Sequence, residues 1–495
     1  MKKLLSLVLA LVMVFSVALV ASAEEDIVKI TWAQGTGDVA PKDNAMVLEK
    51  LNEMLRERIG VEVDIQYFTN DEILNSIQSG EVYDIYFTCS WYNNTNQAIS
   101  QNLFLGLTQD EIAEKAPGLY NAMSKDVWDL AESADGKIYA IPNKKDYAAE
   151  NFITYPADIA AELGFEIPDK IDAWGDLTDF LVAWKETLPE GEYPVLIGGN
   201  PAGLESSFDF IDRVAMIGCV YGTTKVVTVF EDPEVMERYR TMAEWYKMGL
   251  ENPDVAQLTE TAIDTSKQRI NFVQAWDGYD YSPSCGYNVA MTRYFGPNLS
   301  VDGVQGSMNA FSITLADQPE KLEAALKLFE IIHTDKEVVD TLRYGVEGYH
   351  WNYVTAEQNP DCAGGVIQTE VGKTNYTCWG FSQPAYFFTS ILVSEEQVAG
   401  TAKAPVMNQY ELYYDAVATS ANVSAMGAFK FNSEKWTAAL AEMTAIKDEY
   451  YKNFCSGTIS IDDCYDEFIE KMNAAGLQEM IEDAQEQLDE YLANN

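Results

Sequence analysis

The alternation of apolar and polar positions in the first part of the chain predicts strands and helices in turn. Residues 27–34 and 61–68 alternate with a period of two, which is typical of strands. Between them, residues 43–58 repeat apolar side chains at helical spacing. A short helix over 71–78 and a strand over 83–89 follow. The order β-α-β-α-β predicts a parallel sheet with helices on its faces.

The middle of the chain carries a second set of alternating elements. Helical patterns cover residues 156–163, 174–187, 233–250 and 319–332, and strand-like patterns cover 195–197, 270–275 and 307–315. The last part, 434–492, is almost entirely helical in pattern, with one break at 456–460. The chain is therefore expected to contain a second α/β region followed by a helical segment.

The first 23 residues predict a signal peptide. Lys2 and Lys3 precede an apolar stretch over 4–20, and Ala21-Ser22-Ala23 has the small-x-small pattern that signal peptidase cleaves. A membrane-spanning helix needs about 20 apolar residues, so this stretch is short for a retained anchor. We expect cleavage before Glu24 and a secreted, extracellular protein.

Length and charge narrow the class of protein. The 495 residues exceed the size at which one hydrophobic core keeps growing, so at least two domains are expected. A net charge of −45 repels phosphate backbones, which argues against nucleic acid as a partner. Together with 47% hydrophobic and 12% aromatic residues, this acidity is typical of a folded, soluble chain rather than a disordered one.

Few residues suit metal binding or nucleophilic catalysis. The chain has two histidines and contains no C-x-x-C, H-E-x-x-H, G-x-S-x-G or G-x-x-x-x-G-K motif. We therefore expect no metal, no cofactor and no enzyme activity. The odd count of seven cysteines leaves at least one unpaired, and buried free thiols are the default. Two pairs have a spacing that permits a disulfide, Cys455 with Cys464 and Cys362 with Cys378.

Four segments, taken in order, carry a family resemblance: residues 83–87 followed by Ser90-Trp91 and two asparagines, 136–142, 311–342, and Ala428-Phe429-Lys430-Phe431 with the helical tail. Together they resemble the extracellular solute-binding proteins of carbohydrate ABC importers, the group that includes maltose-binding protein. The second segment looks like the family's crossing strand into the second lobe. The fourth is similar to the C-terminal domain of lipoprotein-type sugar-binding proteins from Gram-positive bacteria. Where that group carries a lipidated cysteine, this chain has Ala23-Glu24.

The resemblance implies a two-lobe, periplasmic-binding-protein-like α/β fold with a hinge, each lobe being a mostly parallel sheet flanked by helices. We expect lobe 1 over 24–143 and 286–345, lobe 2 over 144–285 and 346–427, and a helical segment over 428–495 packed on lobe 2. The resemblance also implies a monomer that captures a small ligand, foremost an oligosaccharide, in an inter-lobe cleft. Such a protein delivers its ligand to the permease subunits of an ABC importer. Closure requires the ligand to favour the closed state, so contacts are expected from both lobes.

The first candidate site lies after the third predicted strand. Sugars present C–H faces to aromatic rings and hydroxyl groups to amides and carboxylates. Trp91 with Asn93 and Asn94 supplies both kinds of group at the carboxyl end of a strand, where parallel sheets bind ligands. By resemblance, these residues match the first-lobe ligand loop. The alternative is a buried tryptophan with asparagines that form turns.

The second candidate site follows the predicted strand 270–275. By resemblance, Trp276 belongs to a second-lobe loop whose tryptophan stacks on sugar, and Asp277 and Tyr279 add polar groups to it. The alternative is packing at a joint between domains. Five further candidates for ligand contact are Trp32, Glu347, Trp351, Trp379 and Tyr386.

Three other functions fit parts of the pattern. A secreted glycoside-processing enzyme needs two carboxylates about 5–10 Å apart across a cleft. A sensor or adhesin uses the same fold without transport. A peptide ligand is also compatible with aromatic and amide side chains. The 78 acidic residues make chance pairs of carboxylates frequent, so the sequence favours the receptor.

Overall fold

A computed structural model describes residues 27–35, 41–201, 203–259, 262–264, 266–376 and 383–494. The predicted signal peptide lies outside these residues, as do Cys378 and Trp379. The chain divides into two compact units. Unit 1 comprises Met1–Ala122, Asn309–Trp351 and Gln368–Pro384, and unit 2 comprises Met123–Met308, Asn352–Ile367 and Ala385–Asn495. The first division therefore lies at 122/123, ahead of the lobe boundary at 143/144 that the sequence suggests.

Unit 1 contains the parallel arrangement that its β-α-β-α-β pattern predicts. Strand Val28–Gly35 pairs in parallel with Val61–Phe68 on one side and with Ile85–Thr88 on the other. Helix Asn44–Ile59 joins the first two strands and ends at Gly60, whose φ of 68° is the left-handed conformation that glycine adopts at little cost. The carboxyl ends of the three strands consequently lie at one edge of the sheet.

The other helices of unit 1 surround this sheet. They are Asn70–Gln78, Thr95–Ser100, Gln109–Lys115, Pro117–Asn121, Pro319–Thr334, Lys336–Tyr344 and Glu370–Asn375, with a 3-10 turn at Ile313–Asp317. Three strands contain a boundary between the units, namely Met308–Phe311, Trp351–Tyr353 and Val366–Gln368.

Unit 2 holds a four-stranded sheet that is mostly antiparallel, which differs from the mostly parallel sheet expected for each lobe. Its order is Asn422–Val423, Val289–Leu299, Ala148–Pro156 and Asn271–Gln274. Both neighbours of Ala148–Pro156 run antiparallel to it. Each of these neighbours is reached through a long stretch of chain, so packing within the unit sets strand direction, and a local β-α-β connection does not.

The remaining elements of unit 2 are short strands and helices of varied length. The strands are Ile141–Pro142, Phe208–Asp212, Ile217–Val220 and Val227–Thr228. The helices are Lys125–Ala131, Ala157–Glu162, Thr178–Lys185, Pro233–Met248, Ser282–Cys285, Val301–Gln305, Glu395–Val398 and Gln409–Ser420. The 3-10 turns are Trp174–Leu177, Val229–Glu231, Val255–Gln257, Pro360–Cys362, Tyr386–Phe388 and Glu434–Trp436.

The last three helices, Thr437–Cys455, Ile461–Ala474 and Leu477–Asn494, share one hydrophobic core with the rest of unit 2. Phe454 and Phe468 are buried in the same cluster of residues that contains Trp174 and Trp245. A second helix break, at 475–476, accompanies the predicted one at 456–460. The C-terminal helices are therefore an integral layer of unit 2.

Two observations bear on the sequence-based expectations about thiols and membranes. Cys362, Cys455 and Cys464 are free thiols, so the permitted Cys455–Cys464 disulfide is not formed. Across the part of the chain with described structure, no helix combines the length and the apolar character that crossing a membrane requires.

Candidate functional site

Trp91 presents the most exposed aromatic ring among the candidates of unit 1. It follows strand Ile85–Thr88 at the carboxyl edge of the parallel sheet, and 58% of its surface is exposed. Its ring lies against the buried rings of Phe87 and Tyr92, with centroids 6.3 and 6.2 Å away. An exposed indole supported by buried rings is a flat apolar platform, and the C–H face of a sugar stacks on such a surface.

Asn93 and Asn94 shape the loop that carries Trp91. Asn93 has a φ of 40°, is 3% exposed, and its carbonyl oxygen accepts a 2.6 Å hydrogen bond from Thr88 Oγ1. Asn94 caps the next helix, because its Oδ1 accepts a 3.0 Å hydrogen bond from the backbone N–H of Gln97. Both asparagines therefore position the loop, as the turn-forming alternative predicts.

Trp32 and Trp351 belong to the interior of unit 1. Both are fully buried, and their indole N–H groups donate to Asn309 Oδ1 at 2.9 Å and to the Gly345 carbonyl oxygen at 2.6 Å. A ring without accessible surface offers no face to a ligand. Glu347 is exposed and lies within the turn that Trp351 closes.

In unit 2, Trp276 is the centre of an aromatic cluster and not an open platform. It is 7% exposed, and its ring centroid lies 4.5 Å from that of Tyr279 and 4.7 Å from that of Phe387. Tyr410 stacks on Phe387 at 4.2 Å and lies 6.3 Å from Tyr386. Tyr279, Tyr386 and Tyr410 are the partly exposed members of this cluster, and they retain surface for a ligand.

Asp277 is exposed and is ion-paired with Arg293. The Nε of Arg293 also lies 3.1 Å from Oε2 of Glu150, a residue that is 1% exposed. Burial raises the pKa of Glu150 to about 7; Arg293 opposes this rise and the nearby Asp277 adds to it. The guanidinium of Arg293 is therefore paired with the exposed carboxylate of Asp277 and with the buried one of Glu150. Asp277 keeps acceptor positions for further hydrogen bonds.

A polar cavity of about 450 Å³ lies within unit 2. The residues that line it include Asp146, Asn151, Glu205, Tyr221, Gln274 and Tyr451. Small-molecule sites in proteins have volumes of about 300–1,000 Å³. Carboxylates, amides and phenolic hydroxyls supply both the acceptors and the donors that sugar hydroxyl groups require. The cavity is therefore a candidate ligand site.

Asp146 and Gln274 form one side of this cavity. Gln274 Nε2 donates to the carbonyl oxygen of Asp146 at 3.3 Å and to its Oδ2 at 3.4 Å. Burial raises the pKa of Asp146, and Lys145, whose Nζ lies 4.0 Å from Oδ1, acts in the opposite direction. The carboxylate is thus held by one amide and one ammonium group beside open space.

Side chains alternate between the two faces of strand Ala148–Pro156, so the cavity and the Glu150–Arg293 ion pair lie on opposite faces of it. Ala149 and Asn151 line the cavity, whereas Glu150 between them faces Arg293. Gly203 packs against Asn151 and has a φ of 69°. A Cβ atom on residue 203 would lie 2.4 Å from Asn151 Nδ2. Only glycine permits this close approach.

None of the cavity residues is among the candidates chosen from the sequence. A signal was nonetheless present, because the polar run Asn143-Lys144-Lys145-Asp146 directly follows the segment 136–142 that carries the family resemblance. The other lining residues come from distant parts of the chain and have no local signature. Within the described parts of the chain, no group of three histidine, cysteine or acidic residues is placed to hold a metal ion.

The comparisons with known proteins agree on the architecture. A carbohydrate ABC transporter substrate-binding protein of Streptococcus pneumoniae is 22% identical over 462 residues, which cover 90% of this chain and 88% of that protein. The crystal structure of the N-glycan transport solute-binding protein NgtS from Streptococcus pneumoniae superposes with a TM-score of 0.77 at 21% identity, over 94% of this chain and 99% of NgtS. The chain has the two-lobe solute-binding-protein fold.

This fold confirms the two-lobe fold class and the resemblance predicted from the four sequence segments, while the sheet of unit 2 differs from the mostly parallel one that was expected. A further structure with the fold, an HMO-binding, ABC-transporter-associated solute-binding protein of Bifidobacterium longum infantis, matches with a TM-score of 0.61 at 16% identity, over 93% of this chain and 98% of that one. In addition, residues 425–493 match a family model described as a domain of unknown function, DUF3502. That match coincides with the C-terminal helices of unit 2.

Proposed function

We propose that this chain is a non-catalytic receptor that binds an oligosaccharide and delivers it to an ABC importer. The observation that carries the proposal is the polar cavity of unit 2 in a chain with the solute-binding-protein fold. NgtS, which shares the fold, is also known in complex with Man5GlcNAc, and the Streptococcus pneumoniae relative is named as a carbohydrate transporter component. Both support a sugar over a peptide.

Two contact surfaces are proposed, one in each unit. In unit 1 the exposed ring of Trp91 stacks on a sugar face. In unit 2, sugar hydroxyls exchange hydrogen bonds with the side chains of Asp146, Asn151 and Gln274. Tyr279, at the partly exposed margin of the aromatic cluster, is the further contact proposed there. Trp32, Trp351 and the ring of Trp276 are not included, because they are buried.

The test is a titration of the protein against Man5GlcNAc, other neutral oligosaccharides and peptides, followed by calorimetry and thermal shift. A ligand that binds only the native state raises the melting temperature. We expect binding of at least one oligosaccharide and no turnover of it. Binding of peptides alone would overturn the substrate class, and release of shorter sugars would identify an enzyme.

Matched variants locate the site within unit 2. Asp146→Asn and Gln274→Ala should each weaken sugar binding by at least tenfold. Asp172→Asn is the control, because the Asp172 side chain is 84% exposed and its carboxylate is paired with Lys170, which does not line the cavity. Equal affinities for all three variants would remove the cavity from the proposed site.

The proposed part in transport and the proposed monomeric state are tested by separate measurements. We propose a secreted monomer that docks on permease subunits, and deletion of its gene should abolish uptake of the bound sugar while growth on glucose continues. A single monomeric mass in light scattering, with and without sugar, is expected. Normal uptake in the deletion strain would favour the sensor or adhesin over the transport receptor.

A further inference from the structure

We propose that the C-terminal helices, the part of the chain that matches a domain of unknown function, form one wall of the ligand cavity, and that Tyr451 positions Glu205 for ligand binding. This inference rests on the proposed function and deepens it, because it gives the helical segment a direct part in sugar recognition.

One face of helix Thr437–Cys455 is turned toward the cavity. Lys447, Tyr451 and Cys455 follow each other at intervals of four residues, so they lie on the same side of the helix. Lys447 Nζ donates a 2.6 Å hydrogen bond to the carbonyl oxygen of Arg213 and lies 4.6 Å from the centroid of the Tyr451 ring. Arg213, Tyr451 and Cys455 all line the cavity.

Glu205 is the lining carboxylate that this face reaches. Its Oε1 accepts a 2.5 Å hydrogen bond from the hydroxyl of the fully buried Tyr239. Tyr451 lines the same cavity, and the charge of this carboxylate adds to the rise that burial causes in the pKa of Tyr451. Burial raises the pKa of both tyrosines, so both stay protonated at neutral pH and act as donors. The bond from Tyr239 fixes one oxygen of the carboxylate, and we infer that the protonated hydroxyl of Tyr451 on the same cavity wall steadies it, which leaves acceptor positions for sugar hydroxyls.

The neighbouring Tyr450 provides a matched contrast on the same helix. It is 7% exposed and belongs to the apolar core of unit 2. Its hydroxyl donates to Glu467 Oε1 at 2.7 Å and accepts from Lys471 Nζ at 2.5 Å. Tyr450 therefore has the same side chain as Tyr451 and also packs in the core of unit 2, but it does not line the cavity.

The experiment compares Tyr451→Phe with Tyr450→Phe in the full chain, with Man5GlcNAc as the probe, or the oligosaccharide of the panel that binds in its place. We expect Tyr451→Phe to weaken binding at least fivefold and Tyr450→Phe to leave the dissociation constant within twofold of the wild type. Circular dichroism and melting temperature check that both variants fold. Wild-type affinity in Tyr451→Phe, with sugar binding intact in the wild type, would overturn this inference alone.

A double-mutant cycle with Glu205→Gln separates positioning from general support. If Tyr451 acts through Glu205, the losses of Tyr451→Phe and Glu205→Gln are not additive, and the double variant resembles Glu205→Gln. Additive losses would show that Tyr451 does not work through the carboxylate. Failure of the wild type to bind any sugar would overturn the proposed function and this inference together.

Discussion

The indole N–H of Trp276 donates a 2.9 Å hydrogen bond to Oε1 of Gln409, and both residues are buried in unit 2. This bond ties the loop after strand Asn271–Gln274 to the start of helix Gln409–Ser420. The tryptophan that the family resemblance selects as a stacking platform therefore holds together an aromatic cluster.

Trp276→Ala is expected to lower the free energy of unfolding by about 3–5 kcal/mol, because it removes a buried ring from that cluster and leaves a cavity. Trp276→Phe keeps a ring and should cost much less. Urea denaturation followed by circular dichroism measures both. Wild-type stability of the alanine variant would show that the ring is not a core residue.

Trp91→Ala should behave in the opposite way. Its ring is 58% exposed, so its loss should leave the melting temperature nearly unchanged. Sugar affinity, measured by calorimetry, should fall at least tenfold because the stacking surface is gone. Val82→Ala serves as the control, since Val82 is 55% exposed and precedes the same strand at its amino end. Equal affinities for the two variants would remove Trp91 from the proposed site.

Trp32→Phe tests whether that residue is purely structural. The substitution removes the hydrogen bond from the indole to the buried Oδ1 of Asn309, and a hydrogen bond within a protein contributes about 0.5–1.5 kcal/mol to stability. We expect lower stability in denaturant with an unchanged dissociation constant for sugar. A loss of affinity without a loss of stability would place Trp32 in contact with the ligand.

Glu150 predicts a specific dependence of stability on pH. Its pKa is about 7 in the folded protein and near 4.5 when unperturbed, so between these values the folded state binds more protons than the unfolded state. The contribution of Glu150 to stability is therefore complete below the unperturbed value and is lost as pH rises through about 7, by roughly 3 kcal/mol in all.

Glu150→Gln should remove this part of the pH dependence. The comparison is the free energy of unfolding of wild type and variant at pH 5, 6, 7 and 8, at constant salt. We expect the difference between them to change most between pH 5 and 7 and to level off above pH 8. A constant difference over the whole series would mean that Glu150 keeps an ordinary pKa.

The local pattern of apolar and polar residues was sufficient to predict the first strand and the first helix of unit 1. The predicted strand 27–34 and helix 43–58 agree with Val28–Gly35 and Asn44–Ile59 to within one residue at each end. Trp174 and Trp245 lie within the helical patterns 174–187 and 233–250, and both are buried. These features depend on near neighbours in the chain, whose side chains are fixed by the periods of helix and strand.

The candidate site was less predictable. The sequence pattern correctly placed Trp91 at the edge of a parallel sheet. It predicted ligand contact for Trp276 as well, although the ring of Trp91 is exposed and that of Trp276 is buried. Both tryptophans follow a predicted strand and have polar residues and a tyrosine close by in the sequence. The difference arises from Phe387 and Gln409, which lie more than a hundred positions further along the chain and cover Trp276.

The alternation of helices and strands, the acidic composition and the family resemblance were all evident from the amino-acid sequence, because each depends on composition or on residues close together in the chain. The strand directions of unit 2 and the cavity lined by Asp146, Glu205, Gln274 and Tyr451 became evident from the three-dimensional structure. Those residues are far apart in sequence, and they meet because packing of the sheet and the C-terminal helices around one core brings them to the same space.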